Sequence, residues 1–223
     1  MLIEMAGEQV ILLAQRALYW PARQMLMVAD IHFGKAAAFR AQGIPVPRGT
    51  TTQNLEVLDS MLAAYPVTQL VFLGDFLHAK ASRASATMNV LLAWRKHHAG
   101  LQLTLVRGNH DQHAGDPAPE LGIHMVDEPH RVGPFALCHH PDRKADGFVI
   151  AGHVHPVYRL ADGVDSLRLP CFVVTPTVCT VPAFGSFTGG FAISQADNQT
   201  IYLVAQDTVF ALPPPAARSR YRR

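Results

Sequence analysis

Apolar and polar positions alternate along the chain with two different periods. Near the N-terminus, Gln9–Gln15, Ala17–Trp20 and Gln24–Ala29 are short, mostly apolar runs separated by brief turns, one at Pro21, which predicts three strands. Residues 52–64 switch to helical spacing, with Leu55, Leu58, Met61 and Leu62 on one face and Pro66 just past the end. The same spacing returns from Ser85 to His98, with Met88, Leu91 and Leu92 on one face and a stop at Gly100. From Phe135 onward, strands and turns predominate. Strands alternating with helices predict an α/β layer architecture. No internal repeat or domain boundary interrupts residues 1–212, so one domain is expected; from Pro213 the sequence PPPAARSRYRR predicts a disordered basic tail.

Composition narrows the class. A chain of 223 residues, 49% hydrophobic and 16% charged, has enough apolar surface for a sizeable core. A net charge of +2 is too small to imply a nucleic-acid partner on its own. The 12 histidines, against 17 acidic residues, raise the prior for a metal site, since neutral imidazole is a common ligand. Cys138, Cys171 and Cys179 form no CxxC pair and read as small core residues in a reducing compartment. No signal peptide is evident at the N-terminus, and the longest apolar stretch, 171–193, is broken by Thr, Pro and Gly. A cytoplasmic protein without a membrane span is expected.

The chemistry shows where the apolar runs stop. MLMVA ends in Asp30-Ile31-His32, QLVFL in Gly74-Asp75, and LTLVR in Gly108-Asn109-His110-Asp111. FALC ends in His139-His140 and FVIA in Gly152-His153-Val154-His155. Ligands bind at the carboxyl ends of strands in α/β sheets, and residues i and i+2 of a strand share a side, so each pair can reach one ion. Glycine before a ligand permits a sharp exit from the strand. Any one histidine is more often structural than a ligand, and a lone strand-end Asp often caps a helix. Five such ends in one chain carry the signal.

The order D-x-H, G-D, G-N-H-D, H, G-H-x-H, spanning Asp30 to His155, resembles the calcineurin-like metallophosphoesterases. ALYWP, VADIHFGKAAAFRAQGIPVPRGTT, FLGDFLHA, LVRGNHD, FALCHHP, LRLPCF and PAFGSFTGG resemble a narrower group, the DNA ligase-associated metallophosphoesterases of the PdeM type. The resemblance implies a two-sheet β-sandwich flanked by helices (αββα layers). It implies that Asp30, His32 and His155 hold one metal, that Asn109, His139 and His153 hold a second, and that Asp75 bridges them. His139 is preferred to His140 because it directly follows the apolar run. His110 is implied as the general acid, oriented by Asp111. His78 matches SbcD-type repair nucleases and is assigned a supporting catalytic contact, against the alternative of an exposed helix-start residue.

These ligands supply nitrogen and oxygen without thiolate, which suits Mn²⁺, with Fe or Zn²⁺ as alternatives. Two divalent ions less two carboxylates leave a charge of about +2, favourable to phosphate, and a bridging hydroxide would attack phosphorus in line. Lys35 and Arg107 are candidate phosphate contacts because each lies within five residues of a ligand, whereas Arg40 and Arg83 read as solvated surface. Phe184–Gly190 reads as a hairpin turn, with a border of the active site as the alternative. The expected function is a metal-dependent phosphodiesterase, a DNA endonuclease in repair, with DNA as partner and a DNA ligase or helicase as associate. The alternatives are hydrolysis of small nucleotide phosphodiesters or phosphomonoesters, or a scaffold that keeps the fold without turnover.

Overall fold

The computed structural model describes residues 1–46, 49–161, 166–185 and 187–214. The first half builds a seven-stranded sheet in the order β1 (Leu2–Met5), β2 (Glu8–Leu13), β3 (Ala17–Trp20), β4 (Met25–Val28), β5 (Gln69–Leu73), β6 (Gln102–Val106) and β7 (Ile123–Val126). Strands β1 to β4 are antiparallel neighbours, because only short turns join them. Strands β4 to β7 run parallel, because helical crossovers return the chain to the same edge each time. The crossovers carry α1 (Lys35–Ala41), α2 (Thr50–Ala64), α3 (Ser85–His97) and α4 (Asn109–Ala114).

The second half supplies β8 (His130–Val132), β9 (Phe135–Leu137), β10 (Phe148–Ala151), β11 (Pro156–Ala161), β12 (Ser166–Val174), β13 (Val178–Thr180), β14 (Phe191–Ile193), β15 (Thr200–Ala205) and β16 (Thr208–Ala211). They form a nine-stranded mixed sheet in the order β14-β11-β12-β13-β10-β9-β8, with β15 added to β12 and β16 to β15. Within it β9, β10 and β13 are parallel.

Strand alternation explains how the layers meet. Val71 and Leu73 of β5 face Phe135, Leu137, Phe148, Ile150 and Phe172 in a buried cluster between the two sheets. Leu70 and Phe72 point the other way, against Leu55, Leu58 and Met61 of α2 and Leu91 of α3. Burying each such side chain contributes about 1.5–3 kcal/mol before the entropy of ordering it is charged. Ala136 of β9, Cys138 just past its end, and Val149 and Ala151 of β10, the alternate positions of this segment, form a small cluster on the outer side of the second sheet. The sandwich with helices outside is the architecture implied by the resemblance, and among the described residues no α-helix follows Ala114.

The strand Ala17–Trp20 and the two long helices lie where the hydrophobic pattern predicts them, within two residues at each end. β1, α1 and α4 were not predicted: the helices are one to two turns long and present no repeated apolar face. Most of the expected tail, residues 215–223, lies outside the described residues. Pro213 is described, and its carbonyl accepts from Gln195 Nε2 at 3.0 Å.

Candidate metal centre

The carboxyl ends of β4, β5 and β6 in one sheet and of β9 and β10 in the other converge on one edge of the sandwich. Backbone pairing holds them there. Phe184 N–H donates to the Ala29 carbonyl at 2.8 Å, joining the segment after β13 to the end of β4. His32 N–H donates to the Asp75 carbonyl at 2.9 Å, joining the loops after β4 and β5.

Asp75 lies between two groups of side chains. Its Oδ2 faces His32 Nε2 at 3.8 Å and His110 Nε2 at 4.0 Å. Its Oδ1 faces His139 Nε2 at 3.6 Å and accepts the His110 backbone N–H at 3.0 Å. On the first side, Asp30 Oδ1 lies 3.4 Å from His155 Nε2, and Asp30, His32 and His155 form a group able to hold an ion. On the second side, His139 Nε2 lies 2.8 Å from Asn109 Oδ1 and 3.0 Å from His153 Nδ1. All seven expected ligands are thus brought together.

Three observations show that these residues fit a cation. Asp30 is fully buried, and its Oδ1 has no hydrogen-bond partner, although its Oδ2 accepts from His153 N–H at 2.8 Å. An orphaned buried carboxylate oxygen is costly unless a positive charge meets it. His139 Nδ1 faces the Leu73 carbonyl at 3.1 Å, and a carbonyl only accepts, so Nδ1 carries the hydrogen. The Nε2 lone pair then points at Asn109 Oδ1, an arrangement of acceptors that a cation satisfies. Three of the four candidate ligand imidazoles, those of His32, His139 and His153, are also shifted toward the neutral form. Burial, reinforced by Lys35 and neighbouring imidazoles, pushes His32 down to about 2 and His78 down to about 4. Burial likewise lowers His139 and His153, while at His155 it is outweighed by Asp30, which leaves that imidazole raised. Asp75 is raised by burial and by Asp30, the electrostatic tension of two close carboxylates that a cation relieves.

The i, i+2 pairs share a side for a reason other than strand alternation. Asp30 and His32 lie past the end of β4, and His153 and His155 lie in the turn between β10 and β11, all with left-handed backbones at φ 53°, 49°, 70° and 51°. The glycines also differ in their reasons. Gly74 has φ +81°, as a sharp exit requires. Gly108 has an ordinary φ, and a Cβ there would fall 2.4 Å from Asp75 Oδ1, so it is required by close approach.

His139 and His140 differ in their surroundings. His139 is fully buried and aims into the centre, whereas His140 Nδ1 pairs with Glu128 Oε1 at 2.7 Å. His78 is not an exposed helix-start residue: its ring stacks on His110 at 4.9 Å and lies 5.2 Å from His32. Its carbonyl meets His110 Nδ1 at 2.8 Å, which fixes the hydrogen on Nδ1 and turns His110 Nε2 toward Asp75. Lys35, at the start of α1, is half-buried over the Phe39 ring, and its charge is felt at Asp30, Asp75 and His32.

Three expectations are corrected. Asp111 does not orient the His110 ring; it is buried and accepts from the backbone N–H groups of Asp75 (2.8 Å), Phe76 (2.9 Å) and Gly108 (2.9 Å), so it stitches two ligand loops together. Arg107 is not turned to the centre, because Asp116 and Asp127 hold its guanidinium at 3.1 Å each. Phe184–Gly190 is not a hairpin: β14 pairs in parallel with β11, and Gly185, Phe187 and Thr188 border a crevice with His32 and Lys35. The pairing of Phe184 with Ala29 overrides the local turn signal. Ser186 lies outside the described residues.

Two supporting residues escaped the sequence reading. Asn54 Nδ2 donates to the Ile31 carbonyl at 3.3 Å, between two ligands; its signal was a polar residue on the apolar face of α2. Glu128 accepts from the backbone N–H groups of His139 and His140 at 2.8 and 2.9 Å, and nothing in its local sequence marks it.

Comparison with known proteins places the chain in a family. The calcineurin-like phosphoesterase family model matches residues 24–170. A nuclease from Pseudomonas putida, MPE, is 47% identical in sequence, with a TM-score of 0.85 over 95% of this chain and 99% of its own. A protein of unknown function from Aquifex aeolicus is far more distant, at 19% identity and TM-score 0.38 over 59% of this chain and 78% of its own. No match was found among curated proteins. With the ligand order, the two-sheet fold and the family model in accord, the chain belongs to the calcineurin-like phosphoesterases, which are metal-dependent hydrolases of phosphate esters.

Proposed function

We propose that this enzyme is a dinuclear metal-dependent phosphodiesterase that cuts DNA as an endonuclease in repair. The observation that carries the reading is Asp75, whose two oxygens face separate ligand groups, in a chain that resembles a nuclease along nearly its whole length. Asp30, His32 and His155 would hold one ion and Asn109, His139 and His153 the other, with Asp75 shared. Donors of nitrogen and oxygen without thiolate favour Mn²⁺, with Fe or Zn²⁺ also compatible. Such ions supply Lewis-acid charge for the phosphoryl group and lower the pKa of the attacking water.

The chain's own side chains do the rest. His110 presents Nε2 to the pocket with Nδ1 anchored on the His78 carbonyl, so a protonated ring can donate to the departing oxygen. His78 stacks against it and limits its rotation. Lys35 adds positive charge at the same side. A cytoplasmic location is supported by three buried free thiols, Cys138, Cys171 and Cys179, which suit a reducing compartment. Association with a DNA ligase or helicase rests on the sequence resemblance alone. No helix among the described residues is long and apolar enough to cross a membrane.

Nicking of supercoiled DNA with Mn²⁺ tests the proposal, with Asp75→Asn as control. Wild-type nicking and a loss of more than about 100-fold in the variant are expected, exceeding the loss typical of supporting positions. Hydrolysis of an aryl phosphodiester with intact supercoiled DNA would favour small diesters as substrates instead.

A further inference from the structure

Beside the centre, on the side of His139 and His153, a groove of about 580 Å³ is lined by Gln112, Glu128, His140, Asp142, Arg143 and Lys144. Two of its walls come from the ligand-bearing elements. Gln112 lies on α4 behind Asn109, and the His140 ring lies 4.4 Å from that of His153. The third wall is the turn after β9, which Glu128 anchors. One of its oxygens takes the N–H groups of His139 and His140; the other meets His140 Nδ1 at 2.7 Å and Arg143 Nη2 at 2.9 Å. With its side chain only 7% exposed, Glu128 spends its charge inside the turn.

The groove therefore offers solvent the half-exposed Arg143 guanidinium, the Lys144 ammonium and the Gln112 amide, against one exposed carboxylate, Asp142. The opposite flank of the centre is different in kind: Phe39 packs on Phe187 at 5.7 Å, with Lys35 over the Phe39 ring. A polynucleotide carries a negative charge at every linkage, so a strand with one phosphate at Asp75 must place its neighbours on these flanks. A guanidinium fixed by a buried carboxylate is pre-organised for a phosphate oxygen.

We infer that this groove is a subsite for a second phosphodiester of the same strand, adjacent to the one being cut, with Arg143 and Lys144 as its contacts. The inference rests on the nuclease reading above and makes the substrate a chain of at least three nucleotides rather than an isolated diester.

Trinucleotides with a neutral methylphosphonate at one of their two linkages test it, since only the remaining phosphodiester can be cut. One of the two compounds is expected to lower wild-type kcat/KM by at least about fivefold relative to the unmodified trinucleotide, and that of Arg143→Ala by less than about twofold. Arg143→Lys should recover part of the discrimination. Each comparison is made within one enzyme, so a smaller folded fraction cancels. Equal losses in wild type and Arg143→Ala with both compounds, or no wild-type loss with either compound, would overturn the subsite while leaving the nuclease reading intact. If wild type hydrolyses an aryl phosphodiester but cuts neither trinucleotides nor supercoiled DNA, the nuclease reading itself falls, and the subsite with it.

Discussion

Asp30, His32, Asp75, His153 and His155 all have left-handed backbones, with φ between 49° and 70°. Each such residue costs about 1 kcal/mol or more relative to the right-handed region, so the strain is concentrated at the centre. It persists because neighbouring loops over-determine these positions through the Asp75, Asp111 and Asp30 hydrogen bonds. Glu128 does the same for His139, and Glu128→Ala is expected to weaken Mn²⁺ binding about 10–100-fold, read by calorimetric titration. His78 carries a pH signature in the metal-free protein. An unfolded chain takes up its proton as pH falls below 6.5, whereas folded His78 does so only near 4, so its contribution to stability is complete above 6.5 and lost on the way down to about 4. Denaturant unfolding of His78→Asn should therefore show a shallower loss of stability than wild type across that window. An unchanged slope would mean that His78 titrates alike in both states.

The loops after β4, β5 and β6 are spaced by their parallel strands, and their closeness limits what each can carry. Gly108 separates β6 from α4 at a point where Asp75 leaves no room for a side chain. Gly108→Ala must displace the Asp75 carboxylate or the start of α4, and a stability loss of about 1–3 kcal/mol is expected in thermal unfolding. Mn²⁺ affinity should fall with it, since Asp75 faces both ligand groups. The long helices were legible because Leu55, Leu58 and Met61 repeat at helical spacing against the sheet. Short α4 was not, because its turn is held by Asp111 and by packing at the ligand loops rather than by an apolar stripe.

Two sheets and a helical layer bring the proposed ligands, from residue 30 to residue 155, to one edge. Ions bound there would tie the two sheets together and stabilise the native state by mass action, about 2.7 kcal/mol at a hundredfold excess over Kd. Mn²⁺ should accordingly raise the Tm of wild type but shift that of Asp75→Asn far less. A comparable shift in both would place the binding elsewhere.

Much of this molecule is written locally. Apolar runs set the strands, helical spacing sets α2 and α3, and residues of metal-binding type follow the runs in an order that identifies the family. His139 was preferred to His140 because it directly follows the apolar run, and in the fold it continues the alternation of Phe135 and Leu137 toward the inter-sheet core. Other features depend on distances between segments far apart in the chain, which no local period encodes. Only the packed structure sets Asp75 between two groups of candidate ligands, turns Asp111 inward to four backbone N–H groups, captures Arg107 with Asp116 and Asp127, and lays Phe184 against Ala29. Glu128 belongs with these: an acidic residue in a turn has no distinctive pattern, and its role exists only once β9 brings His139 and His140 to its carboxylate.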